Sequence, residues 1–202
     1  MEMNIKIVQF IENLTPESIA DKRKQVLKEL VSYVQESKDA NGEVNLNFIC
    51  THNSRRSQFS QIWAKVLAEY YQIELKSFSG GVEVTACNER TIQSLKNTGF
   101  NVSQKGDVNP KYQVTWDSKN EGIELFSKLF NDEVNPVKNF AAVMTCSHAD
   151  ENCPFVTGCD VRIPVRYEDP KAFDDTPLES EMYNLRSSEI ATEMKYVFSQ
   201  IK

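Results

Sequence analysis

A cysteine, five residues and an arginine at the end of an apolar run form a device for attacking a tetrahedral oxyanion. Here the run Leu46-Asn47-Phe48-Ile49 breaks into Cys50, then Thr51, His52, Asn53, Ser54, Arg55 and Arg56, and Ser57 opens a helical pattern. The backbone N–H groups of such a loop and the N-terminus of the helix point at one spot, where they favour an anion and the thiolate form of a cysteine. Arg56 adds a fork of donors that matches two oxygens of phosphate or arsenate. A thiolate and a bound oxyanion in one cradle are a nucleophile held against its electrophile. The bland alternative, a buried strand-end cysteine and a surface arginine, is outweighed by the strand and helix patterns on either side, which are the context a phosphate loop needs.

A second group of thiols follows another apolar run. Phe140 to Thr145 ends in Cys146, and Ser147-His148-Ala149-Asp150-Glu151-Asn152 leads to Cys153 and Pro154. The spacing completes no zinc signature, because no second Cys or His pair supplies four ligands. On spacing alone, a redox pair and two unrelated thiols are equally good readings. Position favours the redox pair, since the C-terminal ends of parallel strands converge at the ligand crevice. Cys87 reads as a structural cysteine at a helix start, and Cys159 as a bystander or an alternative resolving thiol. Asp169, in Tyr167-Glu168-Asp169-Pro170, reads on its residues alone as an Asp-Pro turn.

The elements that must position these groups alternate as in an α/β domain. Val44–Ile49, Leu75–Phe78, Phe140–Thr145 and Val161–Val165 read as strands, the last at a sheet edge because of Pro164. Residues 58–71, 88–97 and 179–201 carry helical periodicity, with Gly99 capping the second. Right-handed crossovers between such strands give a doubly wound, four-stranded parallel sheet with helices on both faces and the site at the strand C-termini. Before it, Thr15 to Lys38 reads as one amphipathic helix with Pro16 at its first position. The chain thus divides into an N-terminal helical extension, 1–43, and an α/β domain, 44–202. Residues 104–139 break the rhythm and read as an insertion with one short helix around Ile123, Leu125, Phe126, Leu129 and Phe130, either a packed surface loop or a wall for substrate.

The chain has 202 residues, 40% hydrophobic and 26% charged, enough for one domain with extensions and a sizeable core. A net charge of −6 argues against nucleic acid as a partner. No stretch reaches transmembrane length and the N-terminus has no signal-peptide pattern. Five cysteines, an odd number, suit working thiols in the cytoplasm better than a secreted disulfide scaffold.

The segments FICTHNSRRSQ, FSGGVE, VMTCSHADENCP and YEDP, in that order, resemble the thioredoxin-coupled arsenate reductases, which are built on the low-molecular-weight protein tyrosine phosphatase fold. The resemblance covers about residues 45–100 and 140–200. The Cys50 loop is common to reductases and phosphatases, and the Cys146…Cys153-Pro154 segment distinguishes the reductases. The resemblance implies a relay. Cys50 attacks arsenate held by Arg56 and the loop amides. Cys146 then attacks Cys50 and releases arsenite, and Cys153 resolves the Cys50–Cys146 disulfide. The resulting Cys146–Cys153 disulfide is reduced by thioredoxin, with no bound cofactor and no metal. It further implies that Asp169 protonates the leaving oxygen and that Ser57 stabilises the thiolate, while Asn53 tolerates a left-handed backbone.

Two loop positions depart from the family pattern. His52 stands where glycine is usual, which implies strain or an altered loop. Arg55 replaces a cysteine found in many relatives and either adds charge beside Cys50 or points to solvent. Two other functions compete with the reductase. A phosphatase would use Cys50, Arg56 and Asp169 on phosphomonoesters through a phosphocysteine. A non-catalytic oxyanion-binding module would bind without turnover.

Overall fold

A computed structural model describes residues 3–40, 42–119, 121–152 and 155–202. Strands β1 (Val44–Cys50), β2 (Leu75–Gly81), β6 (Ala141–Met144) and β7 (Val161–Ile163) form a four-stranded sheet in the order β2-β1-β6-β7, parallel throughout. β6, Ala-Ala-Val-Met, is apolar and buried throughout, and β1 is buried throughout, as strands at the centre of a sheet covered on both faces require. From β1 the chain turns through helix α3 (Arg56–Tyr70) to β2 on one side, and from β6 through α5 (Ser147–Asn152) to β7 on the other. The connections leaving β1 and β6 therefore diverge, which makes the C-terminal ends of these two strands the topological switch point where ligands bind in such sheets.

Alternating strand residues serve two cores. Leu46, Phe48, Ala141, Val143 and Ile163 join the main core with α2 (Asp21–Asp39), α3, α4 (Glu89–Thr98) and α6 (Glu179–Ser199). Ile49, Cys50, Ala142, Met144 and Cys146 face the other way, where Ala149 of α5, Phe140 and Val156 form a smaller apolar cluster. Asn47, fully buried, donates from Nδ2 to the Phe130 carbonyl at 3.0 Å, while its Oδ1 finds no partner among the described residues.

Two expectations are corrected. The N-terminal segment is not one helix from Thr15. Helix α1 (Ile5–Asn13) comes first, capped by the Asn4 side chain, which accepts from Lys6 N–H at 3.0 Å. Pro16–Ser18 is a short 3₁₀ turn, and α2 starts at Asp21. Thr15, preceding a proline, is biased away from helical backbone, so the helix restarts beyond the turn. Residues 104–139 carry strands rather than a helix. Strand β3 (Asn101–Lys105) pairs with β4 (Lys111–Thr115), which pairs with β5 (Ile123–Leu125), all antiparallel. Tyr112, Val114 and Leu125 face the core while the residues between them are exposed or half-buried, the period of two that marks a one-sided sheet. Among the described residues no helix is long and apolar enough to cross a membrane.

Candidate active site

Residues 51–55 form the loop between the end of β1 and the start of α3. Its left-handed residue is Asn53, at φ 46°, not His52, so no backbone strain falls on the position that departs from glycine. His52 reaches outward to Glu83, with Nε2 3.3 Å from Oε2, and its carbonyl accepts from Ser127 Oγ at 2.7 Å. Thr51 and Ser54 bind the neighbouring strand exit. The Thr51 carbonyl accepts from Val82 and Glu83 N–H at 2.8 and 2.9 Å, and Ser54 Oγ donates to the Ala86 carbonyl at 2.7 Å.

Cys50 is 3% exposed. Its sulfur accepts the Asn53 N–H at 3.2 Å and lies 3.0 Å from Ser57 Oγ. Asn53 Nδ2 donates to that same hydroxyl at 2.9 Å, which leaves the Ser57 proton to point at the sulfur. Two donors thus converge on one sulfur. Asn53 Oδ1 accepts from Lys128 N–H at 3.1 Å, and Gln58 Nε2 donates to the Asn53 carbonyl at 2.7 Å, so the turn residue is held from both sides.

Behind the loop lies the double glycine that ends β2. A Cβ on Gly81 would stand 2.8 Å from Asn53 N and 2.8 Å from the Thr51 carbonyl, and one on Gly80 would stand 2.2 Å from the Phe130 Cα. Only glycine lets the strand end pass this close to the loop backbone.

The guanidinium of Arg56 spans the segment after β7. Nη1 donates to the Tyr167 carbonyl at 3.0 Å and Nη2 to Asp169 Oδ2 at 2.7 Å. Asp169 Oδ1 accepts from Lys171 N–H at 3.1 Å, so the carboxylate also caps the turn Pro170–Phe173. Arg55 does not point to solvent. Its side chain is 11% exposed, Nε donates to Tyr183 Oη at 2.7 Å and Nη2 to Asp174 Oδ2 at 3.4 Å.

Cys146, 1% exposed, sits beyond the end of β6, and its sulfur lies 3.4 Å from Thr51 Oγ1 and accepts from Ala149 N–H at 3.3 Å. His148 Nδ1 lies 3.2 Å from the same Thr51 hydroxyl. The residue next to the first thiol therefore touches the second. Cys153 lies outside the described residues. Cys159, half-buried, packs against the apolar cluster that includes Cys50 and Cys146, and the N–H of the next residue, Asp160, bonds to the Phe140 carbonyl at the N-terminal end of β6. Cys87 is buried just before the α4 N-cap Asn88, and burial pushes its thiol up to about 12. It lines, with Ser54, Thr85, Asn109 and Tyr112, a cavity of about 550 Å³ between the loop and the β3–β5 sheet.

Gln58, Lys128 and the Tyr183–Asp174 pair were not singled out in the sequence. Lys128 is 3% exposed, its Nζ is buried with no hydrogen-bond partner, and it stands 4.4 Å from the Phe126 ring centroid. Burial lowers its pKa to about 8 against the attraction of Asp132. A lysine inside the apolar patch 123–130 was the available signal. Nothing in the sequence marks Gln58, whose role is to satisfy loop carbonyls.

No family model matches the chain. It is 34% identical over 109 residues to an arsenate reductase of Staphylococcus aureus (strain bovine RF122 / ET3-1), covering 53% of this chain and 63% of that protein. It is 31% identical over 110 residues to arsenate reductase 2 of Staphylococcus haemolyticus (strain JCSC1435), covering 54% and 65%. The chain thus spans a little under two thirds of the length of these curated relatives. Among solved structures, a low-molecular-weight protein tyrosine phosphatase from T. tengcongensis matches with a TM-score of 0.51 at 13% identity, over 78% of this chain and 99% of that one. Another, from Vibrio cholerae O395, matches with 0.50 at 12%, over 77% and 94%. The chain has the fold of the low-molecular-weight protein tyrosine phosphatases, and in sequence it is similar to the arsenate reductases.

Proposed function

We propose that the protein is a cysteine-dependent arsenate reductase, its catalytic domain spanning 44–202 with 1–43 and 104–139 as additions. The observation that carries the reading is the meeting of Cys50 and Cys146 at the switch point, the first sulfur hydrogen-bonded by Asn53 and Ser57 and the second 3.4 Å from Thr51 Oγ1. The loop amides, Thr51 to Arg55, and the Arg56 fork hold the oxyanion. The Cys50 thiolate attacks arsenic, an As–O bond breaks, and Asp169 protonates the departing oxygen, leaving an S–As(V) adduct. The Cys146 thiolate then attacks the Cys50 sulfur. The S–As bond breaks, its electron pair leaves with arsenite as As(III), and the two sulfurs become a disulfide.

Cys153 attacks Cys146, returns Cys50 as thiolate, and leaves a Cys146–Cys153 disulfide for an external dithiol such as thioredoxin. In sequence Cys146 immediately precedes α5 and Cys153 immediately follows it, so the exchange joins residues at the two ends of that short helix. Free thiols at Cys50 and Cys146 suit a reducing compartment such as the cytoplasm.

The second reading is hydrolysis of phosphomonoesters by Cys50, Arg56 and Asp169, favoured by the fold and by the cavity beside Ser54, which gives room for an organic group. NADPH consumption with arsenate, thioredoxin and thioredoxin reductase, lost in Cys153→Ser, tests the relay. Hydrolysis of p-nitrophenyl phosphate that is indifferent to Cys153, with no arsenate-dependent NADPH consumption, would make the protein a phosphatase.

A further inference from the structure

Arg23 lies in the first turn of α2, where a cation is opposed by the helix dipole. Its place is explained by what it touches. Nε and Nη2 grip Glu193 of α6 in a bidentate pair at 2.6 and 2.8 Å, and the Glu193 side chain is 4% exposed. The same guanidinium stacks over the Tyr167 ring, 4.9 Å from its centroid. Tyr167 is buried at 5% exposure and fastened at its backbone as well. Its N–H donates to the Thr145 carbonyl at 3.1 Å, beside Cys146, and its own carbonyl accepts from Arg56 Nη1. The other Arg56 contact, Asp169, lies two residues further along the same segment. A staple between α2 and α6 would need only Glu193; the stack adds a hold on the strip of chain that grips the oxyanion-binding arginine.

We propose that Arg23 is a positioning residue: clamped to Glu193 and stacked on Tyr167, it sets where the 167–169 segment holds Arg56, and so sets the affinity of the Cys50 loop for a tetrahedral oxyanion. The N-terminal helices are thereby part of the site's construction. Removing Arg23 strands the Glu193 carboxylate in a buried place, which the surroundings relieve by moving. Because Arg56 Nη1 rests on the Tyr167 carbonyl, that movement reaches the cradle. The inference rests on the reading of the Cys50 loop as an oxyanion cradle.

The test is the dissociation constant of inorganic phosphate for the full chain, by calorimetry well below the melting temperature, so that no turnover is needed. Arg23→Ala is expected to bind about tenfold more weakly than wild type. Val34→Ala, a cavity variant at a fully buried position of the same helix, should lower the melting temperature and leave phosphate affinity unchanged. If Arg23→Ala does not fold, the double variant Arg23→Met, Glu193→Gln leaves no stranded carboxylate but still lacks the clamp and the guanidinium stack on Tyr167, and should bind phosphate more weakly than wild type, by less than tenfold. Wild-type affinity in either Arg23 variant overturns the proposal, as does an equal loss in Val34→Ala. A wild-type protein that binds no phosphate removes the cradle reading itself, and the proposal with it.

Discussion

Arg56 and Asp169 hold each other across the mouth of the Cys50 loop, Nη2 donating to Oδ2 at 2.7 Å. The fork that would grip an oxyanion is therefore engaged with the carboxylic acid that would protonate the leaving group. An incoming anion and Asp169 compete for the same donors, and binding must move the carboxylate toward the scissile oxygen. Asp169→Ala is expected to bind phosphate about two- to fivefold more tightly, because the competitor is gone, while hydrolysis of p-nitrophenyl phosphate falls about 100-fold with the loss of the acid. Calorimetry beside steady-state kinetics checks both. Weaker binding in the variant would show that Asp169 supports the cradle rather than competing for it.

Ser57 is oriented rather than merely near. With Asn53 Nδ2 donating into its oxygen at 2.9 Å, its proton is directed at the Cys50 sulfur 3.0 Å away. A hydrogen bond to a charged acceptor contributes about 1.5–3 kcal/mol. Ser57→Ala should therefore slow alkylation of Cys50 by iodoacetamide at neutral pH by about tenfold. Mass spectrometry of the Cys50 peptide against time gives the rate, and an unchanged rate would leave the Asn53 N–H as the sufficient donor.

The loop and its sheet were legible because their signals are local. An apolar run, Cys50-x5-Arg56 and a helix start occupy one short stretch. What was not legible depends on long-range packing. The β3–β5 sheet hides in a segment whose apolar residues Ile123 and Leu125 suit either period until Tyr112 and Val114 pair beside them. The sequence leaves Arg55 between a charge beside Cys50 and a solvent-facing side chain, because its partners, Asp174 and Tyr183, lie more than a hundred positions along the chain. Arg23 gave no sign at all, since neither Glu193 nor Tyr167 is a neighbour in sequence.

Asp150 holds α5 in its helical form. Its carboxylate, on a side chain 4% exposed, pairs with Arg162 and Arg166, the latter donating from Nε at 2.6 Å. If α5 must unwind for the second disulfide exchange, this clasp opposes it. Asp150→Asn keeps the size and loses the charge. Its α5 amides are expected to exchange with deuterium about tenfold faster than in wild type, with β1 and β6 amides unaffected. Equal acceleration throughout would mean that Asp150 serves global stability and not the local opening.

Lys128 stores a pH-dependent penalty beside the loop. Burial lowers its pKa from 10.5 to about 8. Between these values the unfolded chain binds more protons than the native one, so this group makes stability rise with pH from about 8 toward 10.5. Below about pH 8 both states carry the proton and the penalty is present in full. Lys128→Met removes the ammonium, keeps an unbranched apolar side chain over Phe126, and leaves untouched the backbone N–H that donates to Asn53. The variant is expected to be more stable than wild type at neutral pH by roughly 2–3 kcal/mol, an advantage that shrinks as pH approaches 10.5. Urea unfolding of both proteins at several pH values measures the difference, in which other titrating groups largely cancel. A difference independent of pH would show that the Lys128 ammonium is solvated in the native protein, and a less stable variant would show that it holds an anion there.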